Sequence, residues 1–143
     1  MESSQVNLTQ SLTQSLTPSQ AHALEVLQSG DNVFLTGGAG CGKSFVLKQM
    51  VKSLDFKTMP LLASTGAAAV LIGGRTFHSF FGIGIIEGGF AATFDRAMAD
   101  KRLLKRLKKV EGVIIDEVSM LSGEVLELCE TISRHARKSD LPW

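Results

Sequence analysis

The chain has 143 residues, 44% of them hydrophobic and 20% charged, with a formal net charge of +1. That is enough apolar material for one domain with a core, and the near-neutral charge excludes a global basic field, so any nucleic-acid site must be local. The best apolar stretch, residues 61–72, is broken by Ser64, Thr65 and Gly66 and falls short of a membrane span of roughly 20 residues, and Cys41 and Cys129 lack metal-ligand spacing and read as free thiols of a reducing compartment.

Residues 1–15 are polar and repetitive, Leu8-Thr9-Gln10-Ser11 recurring as Leu12-Thr13-Gln14-Ser15. They are expected to form a disordered leader, ahead of an ordered domain over 16–143. No basic or apolar region there marks a secretory signal. Thr17-Pro18 predicts a helix start, with Thr17 as N-cap, and Gly30-Asp31 predicts its end. Asn32–Thr36 reads as a short buried strand, and a helix is expected from about Gly42 to Ser53. Met59–Ala63 reads as a second strand, entering the small-residue run Ser64–Ala69. Gly73-Gly74 breaks the chain before an aromatic turn, Phe77–Phe81, and the Gly-rich stretch 82–89. One amphipathic helix is expected over Ala91–Val110, a third strand over Val113–Asp116, and a last helix capped by Ser122 and running to about Lys138. Strands alternating with helices predict an α/β fold with a parallel sheet.

Gly37-Gly38-Ala39-Gly40-Cys41-Gly42-Lys43-Ser44 fits G-x-x-x-x-G-K-[ST] at every fixed position. Backbone N–H groups can converge on phosphate oxygens only where side chains are small or absent, and the helix that follows directs its positive end at the anion. Lys43 would neutralise the β- and γ-phosphates of ATP, and the Ser44 hydroxyl would ligate Mg²⁺. Further on, Val113-Ile114-Ile115 ends in Asp116-Glu117. A buried strand has no structural use for two acids at its tip. Asp116 would hold the Mg²⁺ shell, and Glu117 would polarise the attacking water as general base.

Three further stretches narrow the class: Leu16-Thr17-Pro18-Ser19-Gln20; Ala63–Ala69 followed by Gly73-Gly74-Arg75-Thr76-Phe77-His78-Ser79-Phe80-Phe81-Gly82; and Asp116-Glu117-Val118-Ser119-Met120-Leu121. In this order and spacing the chain, from about Leu16 to its last residue, resembles the Pif-type (petite integration frequency) DNA helicases, relatives of the RecD helicases in superfamily one. The resemblance implies a RecA-like P-loop fold and an ATP-dependent motor. It would move on single-stranded DNA, open duplex junctions, and serve repair, recombination or telomere maintenance.

It implies that Gln20 reads the adenine edge, that Thr65 and Gly66 touch the single-strand backbone, and that Thr76 and His78 form a second strand-contacting stretch. Phe77, Phe80 and Phe81 either stack on bases or fill a core. The basic run Lys101–Lys109 either attracts phosphates or forms a solvated helix face. The same resemblance implies a monomer without membrane attachment, inside the cell at DNA: the nucleus in a eukaryote, the cytoplasm or nucleoid in a bacterium. Relatives continue beyond the point matching Trp143 with a strand, expected between Val33–Thr36 and Val113–Asp116, and with a second motor domain. The sheet is therefore expected to be incomplete at its C-terminal end, and the chain alone inactive as a helicase. The alternatives are a nucleotide-binding module without turnover and a P-loop ATPase of the AAA type.

Overall fold

The computed structural model describes residues 15–143, which fall into two compact units, one ending at Lys52 and the other starting at Ser53. The leader expected over 1–15 lies, apart from Ser15, outside the described residues.

The first unit is a helix, a loop and a helix. Helix α1 spans Pro18–Leu27 and starts as the sequence predicts. The Thr17 hydroxyl accepts from the Gln20 N–H at 3.3 Å, and Gln20 Oε1 accepts from the Thr17 N–H at 3.0 Å. This capping box satisfies two donors that an open helix end would leave bare. Helix α2 spans Lys43–Val51, buries Val46 and Met50, and packs against α1. The strand expected over Asn32–Thr36 is not formed. Residues 32–38 take up no regular structure, and Phe34 is 76% exposed. A strand is defined by its ladder, and all three strands of the sheet belong to the second unit.

In the second unit, strand β1 spans Leu61–Ala63 and is fully buried. Helix α3, Gly66–Ile72, follows it, then strand β2, Arg75–Thr76, and helix α4, Phe77–Phe81. The expected helix over Ala91–Val110 is two helices, α5 at Gly89–Ala99 and α6 at Lys101–Leu107. Asp100 makes the break: it leaves helical geometry, and its carboxylate accepts from the Arg102 and Leu103 N–H groups at 2.9 and 3.1 Å. Strand β3 spans Ile114–Asp116, and helix α7 spans Gly123–Arg137 with Ser122 as its cap.

The sheet is parallel in the order β2-β1-β3, and β1 is its only central strand among the described residues. Gly74 fits β2 to β1, since a Cβ there would meet the Leu61 carbonyl oxygen at 2.3 Å. The core is aromatic and aliphatic. Phe77 and Phe81 are fully buried and Phe80 nearly so, against Leu62, Leu103, Leu107 and the apolar stripe of α7 at Val125, Leu128, Cys129 and Ile132. This decides the role of the aromatic cluster: these rings fill a core and do not stack on bases. Leu103 and Leu107 point inward, while Lys101, Arg102, Lys105, Lys108 and Lys109 are exposed.

Candidate functional site

In the first unit, the glycine-rich loop ends on Gly42, which caps α2 in the left-handed region with φ +88°. No L side chain adopts this readily. A Cβ there would also stand 2.3 Å from Gln20 Nε2. The N–H groups of Gly40, Gly42, Lys43 and Ser44 reach no backbone carbonyl among the described residues. The last two are orphan donors of the first turn of α2. Together with the positive end of the helix they suit an anion bearing several oxygens.

Lys43 holds its ammonium inside the loop. Nζ donates to the carbonyls of Gly37 at 2.7 Å and Gly38 at 3.1 Å, and lies 3.7 Å from Cys41 Sγ. These contacts use the three donors of the ammonium, so a phosphate would have to exchange with one of them. Ala39 and Gly40 form the exposed tip, Gly40 with φ +75°. Ser44 presents an exposed hydroxyl one residue after Lys43.

Gln20 sits against this loop. Its Nε2 donates to the Cys41 carbonyl at 3.2 Å, while its Oε1 serves the capping box. One amide hydrogen and one oxygen lone pair remain, the donor–acceptor pair that a purine edge needs. The capping role was legible in the spacing Thr17-x-x-Gln20; the contact with Cys41 was not, because nothing local links residues 21 positions apart.

In the second unit, the strand ends line up. Ala63 is in register with both Thr76 and Asp116, so the residues following β1, the end of β2 and the end of β3 share the carboxyl edge of one parallel sheet. Ligands bind at this edge in open parallel sheets. Thr65 and Thr76 both cap helices there: the Thr65 hydroxyl accepts from Ala68 N–H and the Thr76 hydroxyl from Ser79 N–H, each at 3.2 Å. A cap uses a lone pair of the oxygen and leaves the hydroxyl proton free to donate outward. Gly66 is exposed and opens α3, and His78 is half-buried on α4, edge-on to the Phe77 ring. Next to Thr65, the buried Ser64 Oγ has no partner among the described residues, a feature that the sequence did not signal.

Asp116 is half-buried and accepts the Glu117 N–H at 3.1 Å. Glu117 is exposed and takes the left-handed conformation, φ 55° and ψ 45°, which costs a residue with a Cβ about 1–2 kcal/mol. No group of three or more His, Cys, Asp or Glu among the described residues gathers into a metal site. The Asp116 carboxylate at the end of β3 is an oxygen donor of the kind that Mg²⁺ takes.

A glycine loop followed by Lys43 and a helix, and, in the second unit, an acid pair ending a strand of a parallel sheet, are features of the P-loop class. The family model described as PIF1-like helicase matches residues 15–142, and the chain belongs to that family. It is 66% identical over 128 residues to the ATP-dependent DNA helicase Pif1 of Bdellovibrio bacteriovorus, covering 90% of this chain and 29% of that protein. It is 36% identical over 132 residues to the ATP-dependent DNA helicase PIF1 of Saccharomyces cerevisiae, covering 90% of this chain and 15% of the yeast protein. Among solved structures, it resembles Pif1 helicase from Candida albicans with a TM-score of 0.81 at 36% identity, over 88% of this chain and 30% of the other. It resembles Pif1 helicase from Bacteroides in complex with ADP-AlF3 and ssDNA with a TM-score of 0.72 at 32% identity, over 90% and 30%. The chain thus spans less than a third of the length of these relatives.

Proposed function

We propose that this chain is the ATP-binding part of an ATP-dependent DNA helicase, acting on single-stranded DNA and at duplex junctions in genome maintenance. The observation that carries the reading is the register of Ala63 with Thr76 and Asp116, because it brings threonine hydroxyls and a carboxylate to one sheet edge, which supports a strand contact and a metal ligand there. Family membership, and relatives whose structures hold ADP-AlF3 and ssDNA, support it over an AAA-type ATPase.

In this reading, Gly37–Ser44 wraps the phosphates, Lys43 leaves its loop carbonyls for the β- and γ-oxygens, and Gln20 offers its remaining donor and acceptor to adenine. Ser44 in the first unit and Asp116 in the second are each proposed as a ligand of Mg²⁺, an ion that would supply charge neutralisation to the phosphates. Glu117, exposed beside Asp116, takes a proton from the attacking water. Thr65, Gly66, Thr76 and His78 hold the DNA backbone without reading bases, as stepping along any sequence requires. The protein works as a monomer inside the cell, where its DNA is. No helix among the described residues is long and apolar enough to cross a membrane.

The test couples the two ligands. The anisotropy of a labelled oligo-dT is titrated with the chain, with and without Mg²⁺ and a non-hydrolysable ATP analogue. DNA affinity should change with nucleotide in the wild type and be indifferent to it in Lys43→Ala. DNA binding indifferent to nucleotide in the wild type would favour a nucleotide-binding module instead, and no binding of DNA would contradict the proposal.

A further inference from the structure

Two guanidinium groups converge on one aromatic ring. Arg75 Cζ lies 5.7 Å and Arg106 Cζ 4.9 Å from the centroid of the Phe80 ring. Phe80 is buried, so the core holds the ring in place. Arg106, half-buried on α6, donates to the Phe80 carbonyl, and its buried Nε has no partner among the described residues. Arg75, exposed on β2, makes two long hydrogen bonds, 3.4 and 3.3 Å, to the carbonyl and hydroxyl of Ser79. Neither arginine is ion-paired with a carboxylate among the described residues. Burial, and then the charge of Arg75, hold the Arg106 guanidinium below its ordinary range, with Asp100 opposing them. Two like charges brought together repel, and an anion between them removes the repulsion.

We propose that Arg75 and Arg106 form a phosphate-binding subsite for the backbone of a single DNA strand, adjoining Thr76. The fork of a guanidinium fits two phosphate oxygens, and the Phe80 ring orients both forks. The choice of a nucleic-acid phosphate rests on the reading of Thr76 given above: Arg75 and Thr76 both bond to Ser79, so a strand on the hydroxyl of Thr76 passes near the Arg75 guanidinium. The exposed lysines of the basic run provide the wider field; the arginine pair provides the fixed contact.

The experiment measures anisotropy of a labelled oligo-dT over roughly 50 to 200 mM KCl for the wild-type chain, Arg75→Gln, Arg106→Lys and Thr76→Ala. Arg75 is exposed, so its variant should keep the wild-type circular dichroism. Arg75→Gln is expected to bind several-fold more weakly and to lower the slope of log affinity against log salt by ~0.7, one phosphate contact on a single strand. Arg106→Lys keeps a charge but loses the fork, and is expected to weaken binding with little change of slope. Thr76→Ala removes a neutral hydroxyl and should weaken binding with the slope intact. Arg75→Gln with unchanged affinity and slope overturns the subsite and leaves the DNA reading standing, and unchanged affinity in Arg106→Lys removes Arg106 from it. Loss of slope in Arg75→Gln with no effect in Thr76→Ala keeps the subsite and overturns the role of Thr76. A wild-type chain without salt-dependent DNA binding overturns both.

Discussion

At the scale of single residues, Glu117 and Cys129 differ in why the sequence exposes one and hides the other. Glu117 stood out as an acid after an apolar strand. Its left-handed backbone did not, because glutamate has no preference for that region. Asparagine tolerates the conformation better, so Glu117→Asn should raise the unfolding free energy by about 1 kcal/mol, read from denaturant melts. An unchanged or lower value would mean that the geometry carries no cost. Cys129 is buried, and burial pushes its thiol up to about 12. The folded chain therefore keeps a proton that the unfolded chain releases in the ordinary thiol range of ~8.5. The contribution is fully present below that range and declines as pH rises toward about 12, by up to about 1.4 kcal/mol per pH unit. Cys129→Ala should show a shallower loss of stability over this alkaline window. Identical pH slopes would contradict the burial.

At the scale of elements, capping decided where the sequence could be read. Thr17-Pro18 and Ser122 announced helix starts through side chains that accept from the first turn, and both helices begin there. Asp100 does the same for α6, but it lies inside a continuous amphipathic pattern, and periodicity outweighed one capping residue. The strand expected at Asn32–Thr36 failed for the opposite reason: apolar residues can propose a strand, but only a neighbour makes one. The Thr76 oxygen caps α4, and its hydroxyl proton is the group proposed to contact DNA. Thr76→Asp keeps a capping acceptor, removes the proton and adds a negative charge. It should fold with a near-native melting temperature, yet lose oligo-dT affinity by an order of magnitude or so at low salt, since like charge at a phosphate contact costs over about 1 kcal/mol. Native DNA affinity in that variant would leave Thr76 a cap and nothing more.

At the scale of the whole molecule, the two units present unequal cores. The second gathers the aromatic cluster, the α7 stripe and β1 into a continuous apolar interior. In the first, α1 buries no residue, and Val33 and Phe34 are exposed. The candidate phosphate loop stood out in the sequence because its pattern is local: glycines, a lysine and a hydroxyl within eight consecutive residues, Gly37–Ser44. The arginine pair over Phe80 was illegible because its members lie on β2 and α6, and only the fold brings them to one ring. The central claim, that the loop Gly37–Ser44 takes the phosphates of ATP through Lys43, is tested most directly by calorimetric titration of ATP with Mg²⁺ into the 143-residue chain and its Lys43→Ala variant. Saturable binding by the wild type and none by Lys43→Ala is the predicted result; equal binding by the two would contradict it.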